Sequence, residues 1–116
     1  MAASFPAALP SLPALGPGDS WGGSIVSSHQ HLQSKYQHAH RVLAQERYDD
    51  PTALRVLADS VNDSHELLGG LRNAGVPQEW IYTCATLMGN IVQALDGAIQ
   101  ASTGMYVMLP LLQLHV

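Results

Sequence analysis

The sequence predicts an all-α protein: a three-helix antiparallel bundle flanked by an extended proline-rich N-terminal arm and an apolar C-terminal tail. Three observations predict this class. Apolar residues recur at spacings of three and four in successive segments, which is the spacing of one face of a helix. Proline, glycine and aspartate signals separate these segments with short connections, so consecutive helices should be antiparallel neighbours. The predicted divisions are an arm at 1–23, a bundle at 24–103 and a tail at 104–116.

The arm has prolines at intervals of three or four residues, which remove backbone donors and exclude a helix. It also presents large apolar side chains, unlike a flexible linker. Burying them stabilises by about 8–15 kcal/mol, whereas ordering the arm costs about 20–40 kcal/mol. The arm therefore needs proline pre-organisation and backbone contacts to a surface if it is to be ordered, and a disordered tail is the alternative. The apolar side chains are Phe5, Leu9, Leu12, Leu15 and Trp21.

The first two helices are each predicted from a stripe and its end signals. The first runs from Ser24, as N-cap, to about Tyr48. The second begins with Asp50 as N-cap and Pro51 at the first helical position, and Asn73-Ala74-Gly75 supply its C-cap. The first stripe is Ile25, His29, Leu32, Tyr36, Ala39 and Leu43, and the second is Leu54, Leu57, Val61, Ser64, Leu68 and Leu71.

The third helix is predicted from about Pro77 to Ser102, with a break at Thr103-Gly104. It is apolar almost all round, which is typical of a helix in the middle of a packed structure. Its main face is Ile81, Cys84, Met88, Ile91, Leu95 and Ala98.

Charge is concentrated in the middle of the chain. Charged residues make up 12% of the sequence, and twelve of the fourteen lie between Lys35 and Glu79, so both ends are nearly neutral. A small free-standing domain normally carries about twice this share of charge. We therefore expect neighbouring proteins to cover much of its surface. The net charge of −4 argues against a nucleic-acid partner.

The sequence predicts no catalytic, cofactor or metal site. Four histidines, at 29, 31, 38 and 40, lie at spacings of 2, 7 and 2, whereas a metal clip on a helix needs spacings of three or four. A protonation-dependent contact is a minor alternative for them. Ser64-His65-Glu66 has the residue types of a triad, but neighbours on a helix point about 100° apart. Cys84 lies on the apolar face and is interpreted as a buried structural thiol.

These observations predict a non-enzymatic structural subunit of a larger multi-protein particle, with a minor capsid, tail or connector component of a phage or virus as the favoured setting. Its partners would be protein subunits, in a homo- or hetero-oligomeric assembly, with no small-molecule substrate. Synthesis is expected in the cytoplasm, followed by incorporation into the particle. The predicted partner-binding residues lie in the arm and the tail: Phe5, Leu9, Leu12, Leu15, Trp21, Met105, Tyr106, Leu109, Leu111 and Leu112.

Two other classes stay open. A bacterial helical adaptor or secretion partner would bind one client through the third helix and would not need the arm. A small membrane-associated protein would use residues 80–116, although Gln100, Pro110 and Gln113 disfavour insertion.

Overall fold

The structure, a computed structural model, describes residues 5–45 and 50–114, with side chains described through residue 101. The described residues form four helices, so the prediction of an all-α protein is confirmed. The helices are α1 (Gly23–Gln45), α2 (Pro51–Asn62), α3 (His65–Asn73) and α4 (Gln78–Leu114).

Helix α1 starts earlier than predicted. The amide of Val26 donates to the carbonyl oxygen of Gly22 at 3.0 Å, so Gly22 takes the position expected for Ser24. Glycine is a good N-cap residue, and Gly22 has no Cβ to restrict this turn. Four of the six residues of the predicted stripe, Leu32, Tyr36, Ala39 and Leu43, are buried, and the first two, Ile25 and His29, are half-buried. Its predicted end at Tyr48 lies outside the described residues.

Helices α2 and α3 occupy the segment for which one continuous helix was predicted, and that prediction is wrong at Asp63-Ser64. The amide of Ser64 donates to the carbonyl oxygen of Val61, three residues back, which is a 3₁₀-type bond and interrupts the α-helix. Asn62, Asp63 and Ser64 have short polar side chains that compete with helical backbone bonding. The stripe nevertheless continues across the break, since Val61, Ser64 and Leu68 are all buried.

The ends of this segment follow the sequence signals. The Asp50 carboxylate accepts from the amides of Thr52 and Ala53 at 3.0 and 3.3 Å, as expected for the N-cap of α2. At the end of α3, Gly75 has a φ of 100°. The Val76 amide reaches back to the Leu71 carbonyl at 3.1 Å, which closes a left-handed helix cap.

Helix α4 is longer than predicted. It continues through Thr103-Gly104 to Leu114 and contains 37 residues, so the predicted break is wrong. One glycine in a helix costs only about 1 kcal/mol, and the residues after it include strong helix formers such as Met105 and Leu109. At about 1.5 Å per residue the helix is about 55 Å long, within a molecule of 71 × 23 × 19 Å.

The other three helices all contact α4. Arg55, near the start of α2, pairs with Asp96 at 2.9 Å, and His65 at the start of α3 lines a cleft with Ala85. Lys35 of α1 donates to the Ser60 carbonyl at 3.2 Å. The core is formed by buried residues of all four helices together with Leu9 of the arm.

Candidate functional site: the groove that holds the N-terminal arm

Residues 5–13 of the arm, here called the docked segment, lie along α1 in the opposite direction to that helix. His29, Gln33, Tyr36 and His40 each hydrogen-bond to the docked segment. Their spacings of four, three and four place them on one face of α1. As the helix residue number rises from 29 to 40, the arm residue contacted falls from Pro10 to Phe5. These four residues and Trp80 of α4 define the arm groove.

Gln33 makes the most specific contact in the arm groove. Its Nε2 donates to the Leu9 carbonyl at 2.7 Å, and its Oε1 accepts from the Leu9 amide at 3.1 Å. One side-chain amide therefore satisfies both polar main-chain groups of one arm residue, as a neighbouring strand would. This pairing fixes the register of the docked segment on α1.

Carbonyl oxygens of the docked segment accept the remaining hydrogen bonds. The Tyr36 hydroxyl donates to Pro6 at 2.7 Å, and Trp80 Nε1 donates to Ser11 at 2.9 Å. His29 and His40 contact the carbonyls of Pro10 and Phe5 at 3.1 and 3.2 Å. Proline has no N–H, so its carbonyl is its only polar main-chain group. A groove rich in donors therefore suits this proline-containing segment.

The contacts of His29 and His40 define which ring nitrogen carries a proton. A carbonyl oxygen only accepts, so Nε2 of each ring must be protonated and donate. The two rings therefore act as donors in the arm groove, as the Tyr36 hydroxyl and the Trp80 indole do.

Leu9 provides the apolar anchor of the docked segment. Its side chain is 3% exposed and belongs to the core. Phe5 and Leu12 are half-buried and pack against the same core. The His29 and Trp80 rings, with centroids 5.6 Å apart, bring α1 and α4 together at this end of the groove. Burial of one leucine is worth about 2 kcal/mol, and the main-chain bonds add the contacts that the sequence argument required.

Burial also changes the acidity of two groups, Tyr36 in the arm groove and Cys84 in the core. Desolvation raises the pKa of the Tyr36 hydroxyl above its ordinary value of 10.0, which keeps this donor protonated. Burial raises the pKa of the Cys84 thiol from 9.0 to about 12. A thiol of that kind is a poor nucleophile and behaves as a small apolar side chain.

The predicted partner-binding residues of the arm are not equally available at the surface. Leu9 is buried, while Phe5, Leu12 and Trp21 are half-buried against the protein's own core. Leu15 is 40% exposed. Partner binding by all of them stays a prediction. Of the predicted tail residues, the backbone lies in α4 and the side chains lie outside the described part: Met105, Tyr106, Leu109, Leu111 and Leu112.

Sequence reasoning missed the arm groove. The stripe included His29 and Tyr36, but only as residues of an ordinary core face, and Gln33 and His40 were not connected with the arm. A usable signal was present: a row of side-chain donors at helical spacing follows a segment whose prolines leave carbonyls unpaired. That pattern predicts side-chain-to-main-chain pairing.

Outside the arm groove, the described residues form a small cleft. They contain no group of three or more side chains that could hold a metal ion. A cleft between α4 and the α2–α3 break, lined by Ser64, His65 and Met88 among others, has a volume of about 50 Å³. This is far below the roughly 300–1,000 Å³ of a typical ligand pocket. Among the described residues, no helix combines the length and hydropathy of a membrane span.

Comparisons with known proteins give no identity. No protein-family model matches this sequence, and no curated protein or solved structure is significantly similar to it.

Proposed function

We propose that this chain is a non-enzymatic subunit of a larger protein assembly, built as an antiparallel helical bundle that joins neighbouring subunits through the C-terminal part of α4. The supporting observation is the register of the helices along α4. In that register the described parts of α1 and α2 reach only to about Asp96 and Gln100, before the last residues of α4.

The register follows from two contacts. Arg55 is the fifth residue of α2 and pairs with Asp96, so α2 begins roughly level with Gln100 on α4. His29 of α1 lies against Trp80, and α1 ends at Gln45, sixteen residues further on, which is again roughly level with Asp96. Residues 101–114 then extend about 20 Å past the ends of α1 and α2.

The sequence of this extension suits an interface. Residues 97–114 contain no charged side chain, and in the sequence the helical spacing of Ile91, Leu95 and Ala98 leads on to the apolar residues Met105, Leu109 and Leu112. An uncovered apolar helix of this length would promote aggregation. We therefore propose that this face packs against the same region of neighbouring copies or against another subunit.

The favoured setting remains a viral or phage shell, tail or connector, with synthesis in the cytoplasm. A helical adaptor for one client is the second candidate. It is less well supported, because Cys84, Ile91 and Leu95 of α4 are fully buried within the chain itself. That face of α4 is therefore not available to a client.

Light scattering on purified protein tests the proposal. The wild-type chain should have a mass above the 12.4 kDa of one chain. The double variant Leu109→Glu/Leu112→Glu should be monomeric, because burying two charges in an apolar interface is unfavourable. Gln113→Glu is the matched control, since it adds one charge at a polar position of the same helix and should stay oligomeric. A monomeric wild type over a wide concentration range would contradict self-assembly, and co-purification with a single different protein would favour the adaptor.

A further inference from the structure

The arm groove has features of an exchangeable binding site, and its occupant need not come from the same chain. The bonds that hold the docked segment end on main-chain groups of Phe5, Pro6, Leu9, Pro10 and Ser11. Such contacts depend on an extended backbone and on Leu9, and an identical arm from a second chain would reproduce every one of them.

The connection between the docked segment and α1 is suited to opening. Residues 14–22, here called the hinge, are exposed except for half-buried Trp21. Two hydrogen bonds close the hinge: the Asp19 amide to the Gly16 carbonyl at 3.0 Å, and Trp21 Nε1 to the Pro13 carbonyl at 2.9 Å. Gly18 has a φ of 83°, which marks a tight turn. Extending the hinge therefore breaks few contacts and gives it a reach of about 30 Å.

Exposed apolar side chains at the hinge also point to a second copy. Leu15 within the hinge is 40% exposed. Val26, four residues after the end of the hinge, is 36% exposed. When two chains exchange arms, their extended hinges run side by side and form a contact that the closed monomer lacks. Leu15 is placed to be covered there.

We propose that two copies of this chain exchange their N-terminal arms, each docked segment occupying the partner's arm groove. The closed form is favoured in dilute solution, because a tethered arm is present at high effective concentration. Exchange becomes favourable where copies are held close together, as in the assembly proposed above. The inference deepens that proposal but depends on different residues, because the proposed interface there is the end of α4.

Complementation between two full-length variants tests the exchange. One variant, Leu9→Asp, has an arm that cannot dock and an intact groove. The other, Gln33→Ala/Tyr36→Phe, has an intact arm and a groove without its central bonds. Both carry Leu109→Glu/Leu112→Glu, so that association through α4 does not contribute. Circular dichroism first establishes that each is helical.

Each variant alone should remain a 12.4 kDa monomer. The mixture should shift to twice that mass by light scattering, because the intact arm of one variant can dock only in the intact groove of the other. Two folded variants that stay monomeric when mixed at high concentration would overturn arm exchange and leave the proposed α4 interface untouched.

If either variant fails to fold, wild-type protein provides the second measurement. Isotope-labelled and unlabelled chains are mixed, unfolded and refolded together at high concentration. Isotope-filtered NMR should then detect contacts between Pro6 of one chain and the Tyr36 ring of another, which are hydrogen-bonded at 2.7 Å in the closed form. Contacts within one chain alone would overturn the proposal.

Discussion

Gln33 carries both main-chain bonds of Leu9, because its side-chain amide has both a donor and an acceptor. At the scale of single residues, these bonds help to offset the entropy that is lost when the arm becomes ordered. The apolar side chains of the arm cannot offset the entropy of ordering it. Side-chain hydrogen bonds to the arm's main chain supply the difference.

Replacing Gln33 with alanine should therefore lower the free energy of unfolding by about 1–3 kcal/mol, because two partly buried hydrogen bonds are lost and both Leu9 groups lose their partner. Urea unfolding measures the change. The matched control is Gln37→Ala on the exposed side of α1, which should change stability by less than about 0.5 kcal/mol. Equal effects at the two positions would contradict the role assigned to Gln33.

Cys84 and Tyr36 give the fold a stability limit at alkaline pH. Both groups are harder to ionise in the folded protein, so the unfolded chain loses protons first as pH rises. Their contribution is complete below about pH 9, the ordinary pKa of a thiol, and falls as pH rises towards 12.

The free energy of unfolding should thus decline from about pH 9 upward, and Cys84→Ala should have a shallower decline between pH 9 and 12. Chemical denaturation across this range measures both slopes. Independently, a thiol reagent should label folded Cys84 slowly at pH 9 and rapidly in urea. Identical slopes in the two proteins would show that ionisation of this thiol does not limit stability.

At the scale of secondary-structure elements, local signals mark most of the boundaries correctly. Asp50-Pro51 starts α2 and Gly75 ends α3, because capping depends on side chains within a few residues of the helix end. The two wrong boundaries have opposite causes. At Asp63-Ser64 short polar side chains compete with the helical backbone and end a helix that the apolar stripe would continue. At Thr103-Gly104 the strong helix formers that follow outweigh the cost of one glycine.

Two glycines of α3 and its cap should respond to alanine with opposite signs. Gly75→Ala should destabilise by about 1 kcal/mol, because its φ of 100° is unfavourable for any residue with a Cβ. Gly69→Ala should stabilise by up to about 1 kcal/mol, because Gly69 lies within an exposed part of the helix and an added Cβ would meet nothing within 4 Å. Thermal unfolding of the two variants checks the signs, and a stabilising Gly75→Ala would contradict the cap.

At the scale of the whole molecule, the two uncharged ends have different positions relative to the other helices. The docked segment completes the protein's own core through Leu9. The final part of α4 extends past the register of the other helices. An equal lack of charge in the sequence therefore corresponds to two different tertiary positions.

Truncations should distinguish these two positions. Removing residues 1–13 should lower the free energy of unfolding by at least about 2 kcal/mol, the cost of emptying one buried leucine site. Removing residues 102–116 should leave the stability of the monomer nearly unchanged, because the Arg55–Asp96 pair sets the start of α2 level with Gln100, before this segment. Urea unfolding at low protein concentration measures both, and a large loss on C-terminal truncation would show that the end of α4 packs within its own chain.

Helix content, the buried stripes and the caps followed from the sequence, because each depends on residues three to five positions apart. The docking of the arm against α1 and α4 did not follow from the sequence. Tyr36 and Pro6 are thirty residues apart, and Trp80 and Ser11 sixty-nine, and composition predicts only that the arm needs a surface. Whether that surface belongs to the same chain depends on a glycine-containing hinge that lets the arm reverse direction and on a row of donors positioned by α1 and α4. Only the packing of those two helices brings that row together.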